Sequence, residues 1–515
     1  MAEIVLVLFL ISAVVVLTAV SRRLRASTPI VMVLGGLLVT FVPGAPTFAL
    51  PPDLVFFGFL PPLVFAGGYS TSIRDLKKNL RPIVLLAFGL VLFTAGVVAV
   101  VAHALVPVLG WAGAFALGAI VSPPDEIAAL AVFERLGVPK RIVTVLEGES
   151  LLNDATALVI YRFAIAAAAA GAFSLFDASF VFVYAVAGGI AVGTVVGYAF
   201  DRFISRATDT PIVVAMTLVA PYLCYIAAES FGLSGIIATV VGGLWGAHVN
   251  RHFQSDTRIV AAAVWQIWLF LLNGIVFFLL GLQLPEVVRA VTLDSGVVTA
   301  ALVIVVALVV ARFVWVFPAT YLPRLIPAVK RVDPNPPWQA VVVVAWSGLR
   351  GVVSLAAALA LPSSFPGRDL ILLFTFVAIL ATLVGQGLTL PFLIRLLGLS
   401  ADGDGAQNET KARALTAEAA LARLDDLEAE WPTHKPLIAT MRSQYEHRAS
   451  HAELMNTSEA GAAEQELLEH TQIRRELIEA ERRKAFELHE RGVIDDDLLR
   501  AIVRDLDLEE IRTEG

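Results

Sequence analysis

The sequence predicts an all-α membrane protein of about thirteen transmembrane helices, followed by a helical cytoplasmic tail. Three observations carry that reading. The 515 residues are 57% hydrophobic and 16% charged, with a mean hydropathy of +0.78, where a soluble domain carries about 25% charged residues. Apolar stretches of about 20 residues, enough to cross a hydrocarbon core of roughly 30 Å, recur through the first 395 positions. Charge is segregated: residues 401–515 hold 27 Asp and Glu against 15 Lys and Arg, leaving 18 acids and 23 bases upstream. The chain is therefore a transmembrane body, 1–395, and an acidic tail, 396–515. The net charge of −7 argues against nucleic acid as a partner, because phosphate binding needs a basic face. Cys224 is the only cysteine, so a single chain builds neither a disulfide nor a cysteine metal site.

The spans are read at 4–20, 28–43, 53–70, 82–106, 109–133, 146–170, 177–200, 211–229, 231–248, 261–283, 297–318, 339–361 and 369–395. Span 1 begins Met-Ala-Glu, without a basic leader, and Arg22, Arg23 and Arg25 follow it, the order of an uncleaved helix whose N-terminus lies outside. Loops after odd-numbered spans carry 17 Lys and Arg in all, and the intervening loops carry 2, Arg289 and Arg368. This positive-inside asymmetry places the tail in the cytoplasm, and a single miscounted span would erase it.

Ionisable groups inside the bilayer cost several kcal/mol and so mark function. Span 5 contains Ser122-Pro123-Pro124-Asp125-Glu126. Proline removes a backbone donor and clashes with the preceding turn, so the helix is interrupted there, and at that depth irregular backbone survives only inside protein or beside a wet cavity. A simple kink is the alternative. In span 6, Glu149 and Asn153 lie four apart, as do Ser150 and Asp154, two adjacent rows on one helical face. Carboxylate, hydroxyl and amide oxygens suit a small hard cation. Glu147 sits nearest the basic loop, where an acid in the first turn complements the helix dipole. Span 12 supplies counter-charge, with Arg350 flanked by Gly348 and Gly351 where the helix can open. Interrupted spans at 5 and 12, matching places in two halves, point to a transporter of inverted repeats with its site at the midplane. Arg312, Asn273 and Gln283 read as helix-to-helix hydrogen-bonding groups. Glu229 reads as an outer surface anchor, and His103 and His248 as wetted interfacial rings.

Gly148-Glu149-Ser150-Leu-Leu-Asn153-Asp154, Pro124-Asp125-Glu126-Ile-Ala-Ala-Leu-Ala-Val-Phe133, Gly348-Leu-Arg350-Gly351 and Pro61-Pro62-Leu-Val-Phe65 together resemble a monovalent cation/proton antiporter of the sodium/proton exchanger branch, over essentially residues 1–395. The resemblance implies a plasma-membrane homodimer of thirteen-span protomers, each with a dimerisation and a core subdomain, in which spans 5 and 12 cross as unwound helices. It implies no cofactor and a role in sodium transport and pH homeostasis. It makes Asp154 the shared cation and proton carboxylate, Asn153 its neighbour, and Ser150 and the backbone near Pro124 and Asp125 further ligands. The metal contacts would be those of Asp154 and Ser150 with a monovalent cation. Glu149 would be the structural partner of Arg350. An Asn-Asp pair is the pattern associated with electroneutral exchange. One departure is Ala66, in the slot after the paired prolines where the family often has an acid.

A bare carboxylate crossing the membrane would carry an unpaired charge through a poor dielectric, whereas its protonated and cation-bound forms are closer to neutral, and this difference couples the two flows. Sodium is the expected cation, with lithium or potassium as alternatives. A cation channel fits less well, because a lone carboxylate with an arginine counter-charge builds a binding site more readily than a ring-lined pore. An enzyme is not expected: there is no HExxH helix and no base at recognisable spacing from Ser150. The tail opens with a linker composition at 401–405 and continues with apolar residues at helical spacing, such as Leu467, Leu468 and Ile473.

Overall fold

The computed structural model describes residues 2–514 apart from 25–26, 43–50, 52, 126, 171–174, 208, 250–252, 400–403, 455–459, 492 and 494. Glu126 and the loop bases Arg25 and Arg251 thus lie outside the described residues. Those described are helical, with no strand among them. The chain divides into two compact units, Met1–Ala401 and Asp402–Gly515.

Among the described residues of the first unit, eight helices are long and apolar enough to cross a membrane: Ile4–Leu24, Leu80–Leu105, Lys140–Ala168, Phe180–Ile204, Thr210–Glu229, Ser255–Arg289, Ser295–Leu325 and Arg368–Leu396. Four shorter apolar helices, Thr28–Val39, Leu54–Ser70, Pro107–Val121 and Gly235–Val249, fall on spans 2, 3, 5 and 9. Span 12 is two short helices, Trp338–Trp346 and Val352–Leu359. With no hydrophobic force between helices in lipid, small residues that let backbones touch supply the packing. Spans 2 and 10 meet this way. A Cβ on Gly36 would collide with the Phe278 carbonyl, and one on Gly281 with the Val33 carbonyl.

Packing sorts the helices into two sets. Spans 1 and 2 lean on span 10, while span 9 packs on spans 3, 7 and 8, and span 8 joins the two groups by packing on span 10. Span 5 packs on spans 4, 6, 12 and 13, and span 11 on spans 4, 12 and 13. Between the sets Leu151 and Ala155 of span 6 press on Leu60, Tyr225, Ile236 and Ile237 of spans 3, 8 and 9. Arg162 at the end of span 6 bridges to Glu229 of span 8 at 3.0 Å, and Glu229 also accepts from the Gly235 amide. The acid read as a surface anchor therefore ties one set to the other.

The acidic unit is built of four helices, Asp404–Glu430, Lys435–Leu454, Ala460–Glu490 and Asp496–Glu514. Its described core is Ala417, Leu424, Ile438, Ile478, Ala485 and Leu506. Ile473 is exposed instead, and the Leu467 and Leu468 side chains are outside the described residues. Asp404 and Gly405 of the expected linker already belong to the first helix.

A second tie gathers one face of the first unit. Asp333, in the loop between spans 11 and 12, accepts from Arg81, Arg141 and Arg324, which brings together three loops that each follow an odd-numbered span. Partial burial pushes the Asp333 carboxyl up, but hydrogen bonds from Arg141 and Arg324 outweigh it and hold the group below its ordinary range. A carboxyl depressed in the folded state stabilises above its unfolded pKa of about 3.9 and loses that contribution as pH falls through the folded value. Asp333→Asn should therefore lower the melting temperature of the purified protein by a similar amount at pH 8 and pH 5. The gap to wild type should close only below about pH 4. A gap that closes between pH 8 and pH 5 would assign the effect to another group.

Candidate cation site

The two proline-and-glycine-interrupted spans meet at their breaks. Span 5 is helical over Gly110–Val121 and again over Ile127–Leu136, and residues 122–125, which include Pro123 and Pro124, are not. Span 12 is non-helical from 347 to 351. Each break leaves carbonyls and amides without helical partners in an interior that offers little water. They satisfy one another: the Asp125 amide donates to the Leu349 carbonyl at 2.7 Å, and Arg350 Nε donates to the Val121 carbonyl at 2.9 Å. Arg350 also donates through Nη1 to the Gly348 carbonyl, and its own amide donates to Thr382 Oγ1 in span 13. Asp125 Oδ1 accepts from the Ile127 amide, capping the second half-helix of span 5.

Span 6 lies across this junction. Asn153 is fully buried, and its Nδ2 donates to the Pro124 carbonyl at 2.9 Å, while its Oδ1 has no partner among the described residues. One turn toward the start of the span, Ser150 lines a cavity of about 80 Å³ together with Asp154, Pro124, Asp125, Gly351 and Ser354. Asp154 is 9% exposed. Much of the remaining wall is apolar, and spans 3 and 9 contribute Leu60, Val64, Gly67 and Ile236 to it, so the cavity lies between the two helix sets. It has room for a few waters or a small ion with part of its hydration shell. Carboxylate, hydroxyl and freed carbonyl oxygens there form the donor set of a hard cation.

Sequence comparison bears on what such a cavity serves. A family model described as sodium/hydrogen exchanger, transmembrane, matches residues 9–396. The chain belongs to the sodium/hydrogen exchanger family. Members of this family are transporters, not enzymes. A "Sodium, potassium, lithium and rubidium/H(+) antiporter" of Bacillus pumilus is 37% identical over 384 residues, 71% of this chain and 57% of that protein. The chain thus spans little more than half the length of that relative. A Mycobacterium tuberculosis protein named as an uncharacterized Na(+)/H(+) exchanger is 32% identical over 527 residues, 99% of this chain and 96% of that one. The solved sodium proton antiporter MjNhaP1 from Methanocaldococcus jannaschii shares the fold, with a TM-score of 0.59 at 19% identity, over 77% of this chain and 100% of that one.

In this chain the structure brings Asp154, Ser150, Asp125 and Pro124 to one cavity, with Asn153 behind them as the clamp on the Pro124 carbonyl. The expected Glu149–Arg350 ion pair is corrected. The Glu149 carboxylate is held bidentately by Arg312 of span 11, at 2.6 and 2.8 Å, with both side chains 1% exposed. Arg312 also donates through Nε to the Val344 carbonyl. Arg350, in the unwound stretch, turns to backbone carbonyls left open by the breaks, while Arg312 on an intact helix presents its fork to the carboxylate. Gly348 makes room for this crossing, since a Cβ there would sit 2.5 Å from Arg312 Cδ and 2.9 Å from Arg350 Nη1. Sequence reasoning also missed Ser354 and Thr382. The signal for Ser354 was a hydroxyl one turn past Gly351; Thr382 carries none, because span 13 shows nothing that names its neighbour.

Breaking a buried pair strands its partner at a cost of about 3–5 kcal/mol. Glu149→Gln and Arg312→Gln should each lower the melting temperature in detergent, and the double variant should lose much less than the sum, with a coupling above about 1 kcal/mol. Additive losses would break the assignment. Gly351→Ala would place a methyl on the Asp125 carboxylate, which must then shift from the Ile127 amide that it caps, and should lower the melting temperature in detergent. Wild-type melting would show that the contact is slack.

Proposed function

We propose that the chain exchanges a monovalent cation, sodium first, for protons across the plasma membrane, one for one, with Asp154 holding either ion in turn. In this reading the protein is a homodimer of thirteen-span protomers, with the N-terminus outside and the acidic tail in the cytoplasm. The observation that carries it is the placement of a nearly buried carboxylate, with Ser150, Asp125 and Ser354, in a small cavity between two helix sets, at the crossing of two unwound segments. Charge supports it. Glu149 is paired with Arg312, and Arg350 is held by the Val121 carbonyl at the break. An empty Asp154 carboxylate adds one negative charge to the cavity, and one proton or one monovalent cation cancels it. Either occupied form is then neutral enough to move, and the empty form is not.

Asp154 with Ser150 would supply the side-chain contacts to the cation, the Pro124 carbonyl and Asp125 would supply the unwound wall, and Asn153 would hold that wall in place. Alternating access follows if the set carrying spans 5, 6 and 12 moves against the set carrying spans 3 and 9, since the cavity is walled by both. Such movement would have to part Arg162 from Glu229. Potassium is the second reading, favoured by the breadth of cations in the name of the Bacillus pumilus relative.

Proton movement in proteoliposomes, followed with a pH-sensitive dye on addition of sodium, lithium or potassium from pH 6 to pH 9, decides among these. Wild type should respond to at least one cation without needing a membrane potential, and Asp154→Asn to none. Exchange retained by Asp154→Asn would overturn the site, and cation current without proton counterflow would make the protein a channel.

A further inference from the structure

The cluster around Asp333 carries more positive charge than its carboxylate balances. Arg81, Arg141 and Arg324 converge on it from the starts of spans 4 and 6 and the end of span 11. Three guanidinium cations around one acid leave an excess of two. Asp333 attracts the Arg324 charge, whereas Arg81 and Arg141 both oppose it. Arg324 is 3% exposed at its side chain; it donates to Asp333 and to the Thr320 carbonyl, and its buried Nε has no partner among the described residues. A buried charge beside two of its own sign is costly unless another anion shares the site.

The geometry leaves room for one. Arg81 and Arg141 each spend a single nitrogen, Nη2, on Asp333, and their side chains stay 30% and 44% exposed. The rest of each planar fork remains for a second acceptor. A tetrahedral oxyanion has enough oxygens to take both forks at once, which a planar carboxylate already gripped from three sides cannot do. Lys330 and Arg331, exposed in the same loop, add to the attraction. The cluster lies where helices leave the apolar segments, the level of lipid phosphates, which attract basic residues near the membrane surface.

We propose that Arg81, Arg141 and Arg324, gathered by Asp333, bind a phosphoryl anion, supplied either by the headgroup of an anionic phospholipid or as free phosphate. The site is separate from the cation cavity and does not depend on what crosses there.

The test uses the full chain purified in a neutral detergent. Inorganic phosphate is titrated against chloride at matched ionic strength, and in parallel the protein is mixed with phosphatidylcholine vesicles with or without phosphatidylglycerol. The readouts are the melting midpoint, which rises with any ligand that prefers the folded state, and bound phosphate or lipid per chain by equilibrium dialysis and native mass spectrometry. Wild type should bind about one phosphoryl group per chain. The double variant Arg81→Gln with Arg141→Gln keeps the Arg324–Asp333 pair and should bind at least tenfold more weakly, as expected from losing charge-assisted hydrogen bonds. Arg141→Lys keeps the charge without the fork and should fall between the two. Asp154→Asn should bind as wild type does, so failure of the transport reading leaves this result intact. Response to phosphate alone assigns a soluble ligand, and response to phosphatidylglycerol alone assigns a lipid headgroup. Equal binding by wild type and the double variant, or no binding of either probe by wild type, would overturn the proposal and leave the arginines as an internal clasp.

Discussion

The requirement that no backbone group be left bare in an apolar interior governs this fold. Two helices break in the middle of the first unit, and each break exposes amides and carbonyls at a depth where lipid offers no partner. The hydrogen bond from the Asp125 amide to the Leu349 carbonyl closes one break on the other, and Arg350 takes up the Val121 and Gly348 carbonyls that remain. Asn153 takes the Pro124 carbonyl, so span 6 is registered against the crossing by a side chain next in sequence to Asp154. Moving any of these elements uncovers polar groups on another. The cavity walls therefore form a connected assembly.

Charge is distributed on that frame by the same rule. Glu149 and Arg312 are both nearly inaccessible and bind each other through two hydrogen bonds, a geometry in which each charge offsets the desolvation of the other. Arg350 is neutralised differently, by carbonyl dipoles at the ends of broken helices, the use of half-helix ends expected in transporters. What remains is a carboxylate in a cavity of modest size, bordered on one side by polar residues of spans 5, 6 and 12 and on the other by the apolar faces of spans 3 and 9. An apolar facing wall is what a moving set needs, since it can slide past without first finding new hydrogen bonds.

The two helix sets are tied to each other at one end of span 6, whereas the ion pairs at its other end stay within one set. Apolar contacts of Leu151 and Ala155 with Tyr225 and Ile236 surround the cavity, and the exposed Arg162–Glu229 bridge reinforces them where span 6 ends. An ion pair of this kind contributes little in water, about 0–1 kcal/mol, and so can open without a large barrier. At the opposite end of span 6, the Asp333 cluster binds helices within a single set, which keeps spans 4, 6 and 11 in register whatever the other set does.

Much of this was legible in the amino-acid order because the bilayer makes composition decisive. Runs of apolar residues, the loop bias of Lys and Arg, and prolines beside acids follow from the cost of burying polar groups in hydrocarbon, and that cost acts on each residue separately. The breaks at Pro123, Pro124, Gly348 and Gly351, and the shared face of Ser150 and Asp154, are local in the same sense. The partner of Glu149 was not local. Arg312 and Arg350 carry the same guanidinium group and lie in adjacent spans, and only the crossing of the broken helices, which supplies Arg350 with carbonyls, leaves Arg312 for the carboxylate. Ser354, Thr382 and the convergence of three arginines on Asp333 were hidden for the same reason: which side chains meet across helices depends on helix rotation and close approach, fixed by glycine contacts and shape over the whole bundle.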